Sequence, residues 1–395
     1  MEASAEQFVR LPHGGRICYQ TFGPRDGTPV LLLSGGGQSM LSWHEDFIAQ
    51  LAAALSPANT AASSPSSSSP SSGGYLIVRY DTRDTGRSTH YACLPESDPR
   101  RRYTLDDLLA DALALLDHLG GGGASTSTST STEAATAAAH LVGFSMGGAT
   151  AWMLAAREPS RVRSLTLVSS SPVGPGGDAS AGIPGVDAAL RARIEAVPRP
   201  DDWSTDRDAV VRFLTGFEAC MVDETTQAPL TEPERDEIAQ RAGWASDRAA
   251  QAAADAAEYE HKHKHQSEGA GEEEEEGEKE KEEEKEEKET AMQGQEKANV
   301  GSFFNQAHAA WGAPWPRSEL RRVRCGAPGA VAVVHGAGDG NLPLRHGEVL
   351  AEEMPGARLV VVPGMGHELR RRHWGVVVDE VCRVVAAAEA KAEEA

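Results

Sequence analysis

The sequence predicts an α/β protein, with a mostly parallel sheet covered by helices on both faces. Two observations carry that prediction. Short runs of Val, Leu and Ile recur along the chain, and most are separated by stretches with apolar residues at helical spacing. A strand that is apolar at every position has no face left for water, which is what a parallel sheet between two helical layers requires.

The elements come in this order. Val30 to Leu33 reads as a buried strand that runs into Ser34-Gly35-Gly36-Gly37. Tyr75 to Tyr80 is the next strand, succeeded by the turn Asp81-Thr82-Arg83-Asp84-Thr85-Gly86. Leu105, Leu108, Leu109, Leu113 and Leu116 repeat at helical spacing, so Leu105 to Leu119 is expected to be an amphipathic helix. His140 to Phe144 reads as a strand and Gly147 to Arg157 as a helix. Leu165 to Val168, Ala330 to His335 and Leu359 to Val362 supply three further strands, and Val376 to Ala388 a closing helix.

Between Pro172 and about Ala310 the strand pattern stops. Helical pieces with scattered aromatics (Trp203, Phe213, Phe217, Trp244, Phe303, Phe304) take its place. This predicts a mainly helical cap over 172–310, inserted between two parts of one core, 1–171 and 311–395. Trp203, Trp244, Trp311 and Trp315 fall in or just after the cap and favour an apolar pocket beneath it.

Three stretches are of low complexity: Ser56 to Gly74, Gly120 to Ala139 and His261 to Lys297. They hold too few large apolar side chains to offset the entropy of ordering them, so they are expected as insertions between patterned elements. His261, His263 and His265 alternate with Lys beside an acidic run and read as solvated linker rather than as a metal site.

Composition narrows the function classes. The formal net charge is −21, but thirteen Glu against four Lys lie between Glu272 and Glu289, so nine of those charges belong to one run. The remainder is moderately acidic, which disfavours nucleic acid and anionic membrane as ligands. Cys18, Cys93, Cys220, Cys325 and Cys382 are odd in number and widely spaced, which fits a reducing compartment better than a disulfide framework. No run of about 18 apolar residues exists to span a bilayer. Met1 to Arg10 lacks the basic-then-apolar pattern of a secretory signal, so a cytoplasmic protein is expected.

The chemistry rests on three loops. Gly143-Phe144-Ser145-Met146-Gly147 fits G-x-S-x-G and sits directly after a strand and before a helix. That context gives the pattern its meaning, because the turn must lift the serine hydroxyl clear of the backbone while glycines on either side let strand and helix approach. Ser145 is therefore the candidate nucleophile. A serine hydroxyl needs a base, and His367 in Pro363-Gly364-Met365-Gly366-His367 comes just after the last strand. Asp339, in Gly336-Ala337-Gly338-Asp339, comes just after the penultimate strand and is the candidate acid. Taken alone, Asp339 before Gly340 reads better as a turn residue.

The order Ser, Asp, His, each just past a strand's carboxyl end, is the one the α/β-hydrolase arrangement uses. The oxyanion of an acyl-transfer intermediate needs two N–H donors: Met146, the residue after the nucleophile, and one from the first Gly-rich loop. Gly36 is the best candidate there, with Gly35 or Gly37 possible. Gly35-Gly36-Gly37 is no phosphate loop, since it lacks the Lys-Ser/Thr that would come next. Asp81, Arg83 and Asp84 read as structural bracing rather than as catalytic groups.

These residues resemble a known family. Leu31 to Gly37 with Trp43, the run Arg79-Tyr80-Asp81-Thr82-Arg83-Asp84-Thr85-Gly86-Arg87-Ser88, the block His140 to Gly148 and the ending Val361 to His367 look like the α/β-hydrolases akin to aclacinomycin methylesterase. The second of these runs is the more specific, because other branches usually carry Gly at the place of Asp84. The resemblance covers most of 8–170 and 303–385. It implies a carboxylic or methyl ester hydrolase of a small apolar substrate, without metal or cofactor, using Ser145, Asp339 and His367, with Gly36 and Met146 as oxyanion donors. Serine at 145 argues against dehalogenase or epoxide-hydrolase chemistry, which use Asp there. A cofactor-free haloperoxidase or a thioesterase would use the same three residues. A ligand-binding receptor on a hydrolase fold is the alternative from another class.

Overall fold

The structure is a computed structural model that describes residues 2–12, 14–56, 74–91, 102–120, 137–201, 206–222, 230–244, 247–248, 306, 309–310 and 314–392. The bulk of the three low-complexity stretches, with His261, His263 and His265, lies outside the described residues, as do Cys93, Trp203, Trp311, Phe303 and Phe304.

Eight strands form one sheet: β1 Gln7–Arg10, β2 Arg16–Phe22, β3 Thr28–Leu33, β4 Tyr75–Tyr80, β5 Ala139–Phe144, β6 Val162–Val168, β7 Val331–Gly336 and β8 Arg358–Val362. Their spatial order is β1-β2-β4-β3-β5-β6-β7-β8. β1 and β2 pair antiparallel, as do β2 and β4; every other pair is parallel. The edge hairpin β1–β2 is not signalled by apolar runs. β1 is only four residues long, and exposed or half-buried positions interrupt both strands.

The helices are α1 Glu45–Ala54, α2 Leu105–Gly120, α3 Met146–Arg157, α4 Ala188–Glu195, α5 Arg207–Cys220, α6 over 232–244, α7 Arg345–Glu353 and α8 Trp374–Ala392. The period-2 geometry of a strand divides each apolar run between two layers. Leu31, Leu33, Leu141, Leu165, Leu167 and Val333 pack with Leu108, Leu115, Trp152 and Leu350 from α2, α3 and α7. Val30, Leu32, Val142, Val168 and Val334 pack on the opposite face with Phe47, Leu51, Val377 and Val381 from α1 and α8. The two helical layers inferred from the runs are both present. Between β6 and β7 the described regular elements include α4, α5 and α6.

The turn after β4 is braced as its composition suggested. Arg83 donates twice to Asp111 of α2, both at 2.7 Å, and both side chains are buried. Asp81 accepts from the backbone N–H groups of Met40 (2.8 Å) and Arg87 (2.9 Å). Asp84 has φ +61°, a left-handed conformation that glycine adopts at least cost.

Among the described residues no helix is long and apolar enough to cross a membrane. None of Cys18, Cys220, Cys325 and Cys382 forms a disulfide.

Candidate active site

β5 ends at Phe144, and the next residue, Ser145, has φ 53° and ψ −119° before α3 starts at Met146. For a residue with a Cβ this conformation costs on the order of 1–3 kcal/mol and survives only where the surroundings over-determine it. Here they do. Ser145 N–H donates to Val168 O of β6 at 2.9 Å, and its carbonyl accepts from Gly148 N–H (3.0 Å) and from the Ser170 hydroxyl (2.9 Å).

The flanking glycines make the turn possible. A Cβ on Gly143 would stand 2.6 Å from Gly147 O, and one on Gly147 would collide with the carbonyl oxygens of Leu33 and Ser34. Gly147→Ala is therefore expected to push α3 off β3 and cost about 3 kcal/mol, read as a lower urea midpoint. A midpoint equal to that of the unaltered protein would contradict this packing.

The other two candidates arrive from loops after β7 and β8. His367 Nε2 lies 2.9 Å from Ser145 Oγ, and His367 Nδ1 lies 2.8 Å from Asp339 Oδ2. His367 and Asp339 are only 8% and 4% exposed. Asp339 proves to be a turn residue as well: its Oδ1 accepts from Asn341 N–H (3.0 Å) and Leu342 N–H (2.8 Å), leaving Oδ2 for the imidazole. Burial alone would raise its pKa, but the neighbouring imidazoles, His367 foremost, and the Leu342 N–H outweigh burial and hold the carboxyl below its usual value.

His335, at the end of β7, is a neighbour that the sequence does not single out. It is fully buried, its Nε2 donates to Leu342 O at 2.7 Å, and that nitrogen is 3.6 Å from Asp339 Oδ2. Burial lowers its pKa against the opposing pull of the Asp339 carboxylate. The His367 loop is also held from outside the core, since His367 N–H donates to Met221 O at 2.8 Å, just past α5.

Met146 is the first residue of α3, where backbone N–H groups have no partner within the helix and the helix dipole favours negative charge. Among the described residues neither its N–H nor that of Gly36 donates to a protein acceptor. Gly37 differs, because its N–H is taken by Gln306 Oε1 at 2.5 Å. Gly36 faces Met146 closely: a Cβ there would lie 3.6 Å from Met146 Sδ. Among the described residues the N–H groups of Gly35, Gly36 and Met146 donate to no protein acceptor, whereas that of Gly37 is taken.

These groups open onto a cavity of about 540 Å³. Phe144, Ile194, Phe217, Met221, Trp315 and Leu369 are among its apolar lining residues. Trp315 thus lines the pocket as expected, whereas Trp244 is 43% exposed and is not among the lining residues. The wall also carries charge that the aromatic pattern does not reveal. Arg241 pairs with Glu218 at 3.1 Å, and Glu368 forms a buried ion pair with Arg370. A hydroxyl bonded to an imidazole that is itself held by a carboxylate is the arrangement in which serine becomes nucleophilic.

A sheet of this strand order, with a serine–histidine–aspartate chain at its carboxyl edge, defines the hydrolase class of α/β protein. The chain belongs to the alpha/beta hydrolase fold family, whose model matches residues 137–369. It is 34% identical over 142 residues to rhodomycin D methylesterase DauP from Streptomyces sp. (strain C5), a match covering 35% of this chain and 34% of that one. It is 32% identical over 152 residues to the putative carbamate hydrolase RutD of Variovorax paradoxus (strain S110), covering 38% and 41%. These matches thus span only about a third to two-fifths of the curated relatives' own length. Among solved structures, an esterase from Exiguobacterium antarcticum aligns with a TM-score of 0.57 at 17% identity, over 95% of this chain and 98% of the other. The esterase RhEst1 from Rhodococcus sp. ECU1013 aligns with a TM-score of 0.57 at 19% identity, over 98% and 100%. At such identities the structural likeness speaks for the fold.

Proposed function

We propose that this chain is a serine hydrolase that cleaves a carboxylic ester, methyl esters included, of a small and largely apolar molecule through an acyl-enzyme on Ser145. The observation that carries the reading is the continuous chain from Ser145 Oγ to His367 (2.9 Å) to Asp339 (2.8 Å). The methylesterase name of one partial relative supports it.

In this reading His367 takes the Ser145 proton as Oγ attacks the acyl carbon, and Asp339 holds the imidazole in the tautomer with Nδ1 protonated. The oxyanion accepts from Gly36 and Met146 N–H. His367 then returns the proton to the departing alcohol, and water, deprotonated by the same imidazole, releases the acid and restores Ser145. Every step uses the chain's own residues, so the reading calls for no cofactor. The described part of 172–310 serves as the cap, with Phe217 and Met221, from and just after α5, lining the cavity. A volume of about 540 Å³ falls in the range of small-molecule sites.

The test is labelling with a fluorophosphonate probe and mapping of the modified peptide. The expected adduct is on Ser145, accompanied by turnover of short-chain p-nitrophenyl esters. Folded protein that neither labels nor turns over would favour a non-catalytic ligand-binding role on the same fold.

A further inference from the structure

One buried side chain ties the first Gly-rich loop to the rest of the molecule. Gln306 is 2% exposed and uses both ends of its amide. Its Oε1 accepts from Gly37 N–H at 2.5 Å, while its Nε2 donates to Thr82 Oγ1 at 2.9 Å and to Arg83 O at 2.8 Å. The amide orientation is dictated by these partners, since Gly37 N–H can only donate and Arg83 O can only accept. Arg83 is in turn fixed to α2 through its double contact with Asp111. A rigid path therefore runs from α2 through Arg83 and Gln306 to Gly37, the neighbour of Gly36.

Gln306 also narrows which glycine has a donor to offer. By occupying Gly37 N–H, it removes one of the loop's three glycine donors, and of the other two Gly36 is the one that faces Met146. Gly37 has φ +72°, where glycine is free to move, so the loop's geometry must be imposed from outside. A hydrogen bond at this residue is a direct way to impose it.

We propose that Gln306 is a positioning residue: it orients the 35–37 loop so that Gly36 N–H points at the developing oxyanion. The inference rests on the ester-hydrolase reading of the same site. It predicts a loss confined to transition-state stabilisation, because an oxyanion donor displaced by even an ångström loses most of its effect while ground-state binding is unchanged.

The test compares Gln306→Met, which keeps the length and removes all three hydrogen bonds, with Gln306→Glu, which keeps an acceptor for Gly37. Three quantities are read on short-chain p-nitrophenyl esters: kcat per titrated active site, KM, and affinity for a trifluoromethyl ketone. That ketone adds to Ser145 and places a tetrahedral oxyanion in the hole. Gln306→Met should lower kcat roughly 10- to 100-fold and weaken the ketone by a similar factor, with KM within about 3-fold. Gln306→Glu should recover at least half of that loss on a logarithmic scale.

The proposal is overturned if Gln306→Met keeps kcat per active site within 2-fold, or if ketone affinity is retained while kcat falls. Should Gln306→Met fail to fold, Gln306→Asn, whose amide is one methylene too short to reach Gly37 N–H, decides instead: a fall in kcat of more than 2-fold, shared by ketone affinity and with KM within about 3-fold, supports the role, and any other result overturns it. Unaltered protein that neither labels nor turns over would sink the hydrolase reading instead. The two failures are therefore distinguishable.

Discussion

Ser145→Ala is expected to lower kcat/KM on p-nitrophenyl esters by roughly 10⁵- to 10⁶-fold while leaving the protein folded. The substitution removes one oxygen, the atom 2.9 Å from His367 Nε2, and nothing that packs the core. The backbone bonds that force the turn, from Val168 O and from Gly148 N–H, do not involve the side chain and persist. Alanine still has to adopt φ 53°, so the strain neither disappears nor grows appreciably. The residual rate should stand on the order of 10³ above water, because the N–H groups of Gly36 and Met146 still polarise a bound carbonyl. Steady-state rates beside a circular dichroism melt separate the two effects. A folded Ser145→Ala protein with undiminished turnover would remove the nucleophile from the mechanism.

Asp339→Asn is the second large effect, with kcat down by about 10⁴-fold. The reason lies in the division of labour between the two oxygens. Asn341 and Leu342 N–H require an acceptor at the Oδ1 position, so the asparagine must turn its amide nitrogen toward His367. That nitrogen can only donate, which forces His367 Nδ1 to accept and moves the ring proton to Nε2. A protonated Nε2 cannot take the Ser145 proton.

The same substitution carries a stability signature. The Asp339 carboxyl sits below its usual value in the folded protein, so its contribution is fully present above the unfolded value of about 3.9 and is lost as pH falls through the folded one. The unaltered protein should thus lose stability below about pH 4 more steeply than Asp339→Asn. Thermal melts from pH 6 down to 3 would show it, and parallel curves would contradict it.

Much of the site can be read without coordinates because its signals are local. The nucleophile turn occupies seven consecutive residues from Val142 to Gly148, and its strand and helix lie immediately on either side. Asp339 and His367 each come a few residues after an apolar run, and a buried strand places the loop at its C-terminal end on the carboxyl edge of the sheet. Other parts leave no such trace. The β1–β2 hairpin gives no apolar signal because its mixed residues share a sheet edge rather than a doubly covered centre. His335 looks like one more residue of an apolar strand. Nothing about Gln306 marks it in a stretch without periodicity.

The sequence by itself determined the α/β layering, the nucleophile turn and the order of the three loops, since each depends on residue type and spacing within a dozen positions. Tertiary structure alone decided that Gly37 N–H is occupied and Gly36 N–H is available, that Asp339 serves turn and imidazole at once, and that ion pairs line part of the cavity. Gln306 and Gly37 are 269 positions apart, and hydrogen bonds and charge pairs between such distant residues are chosen by how the elements pack, not by any local pattern of side chains.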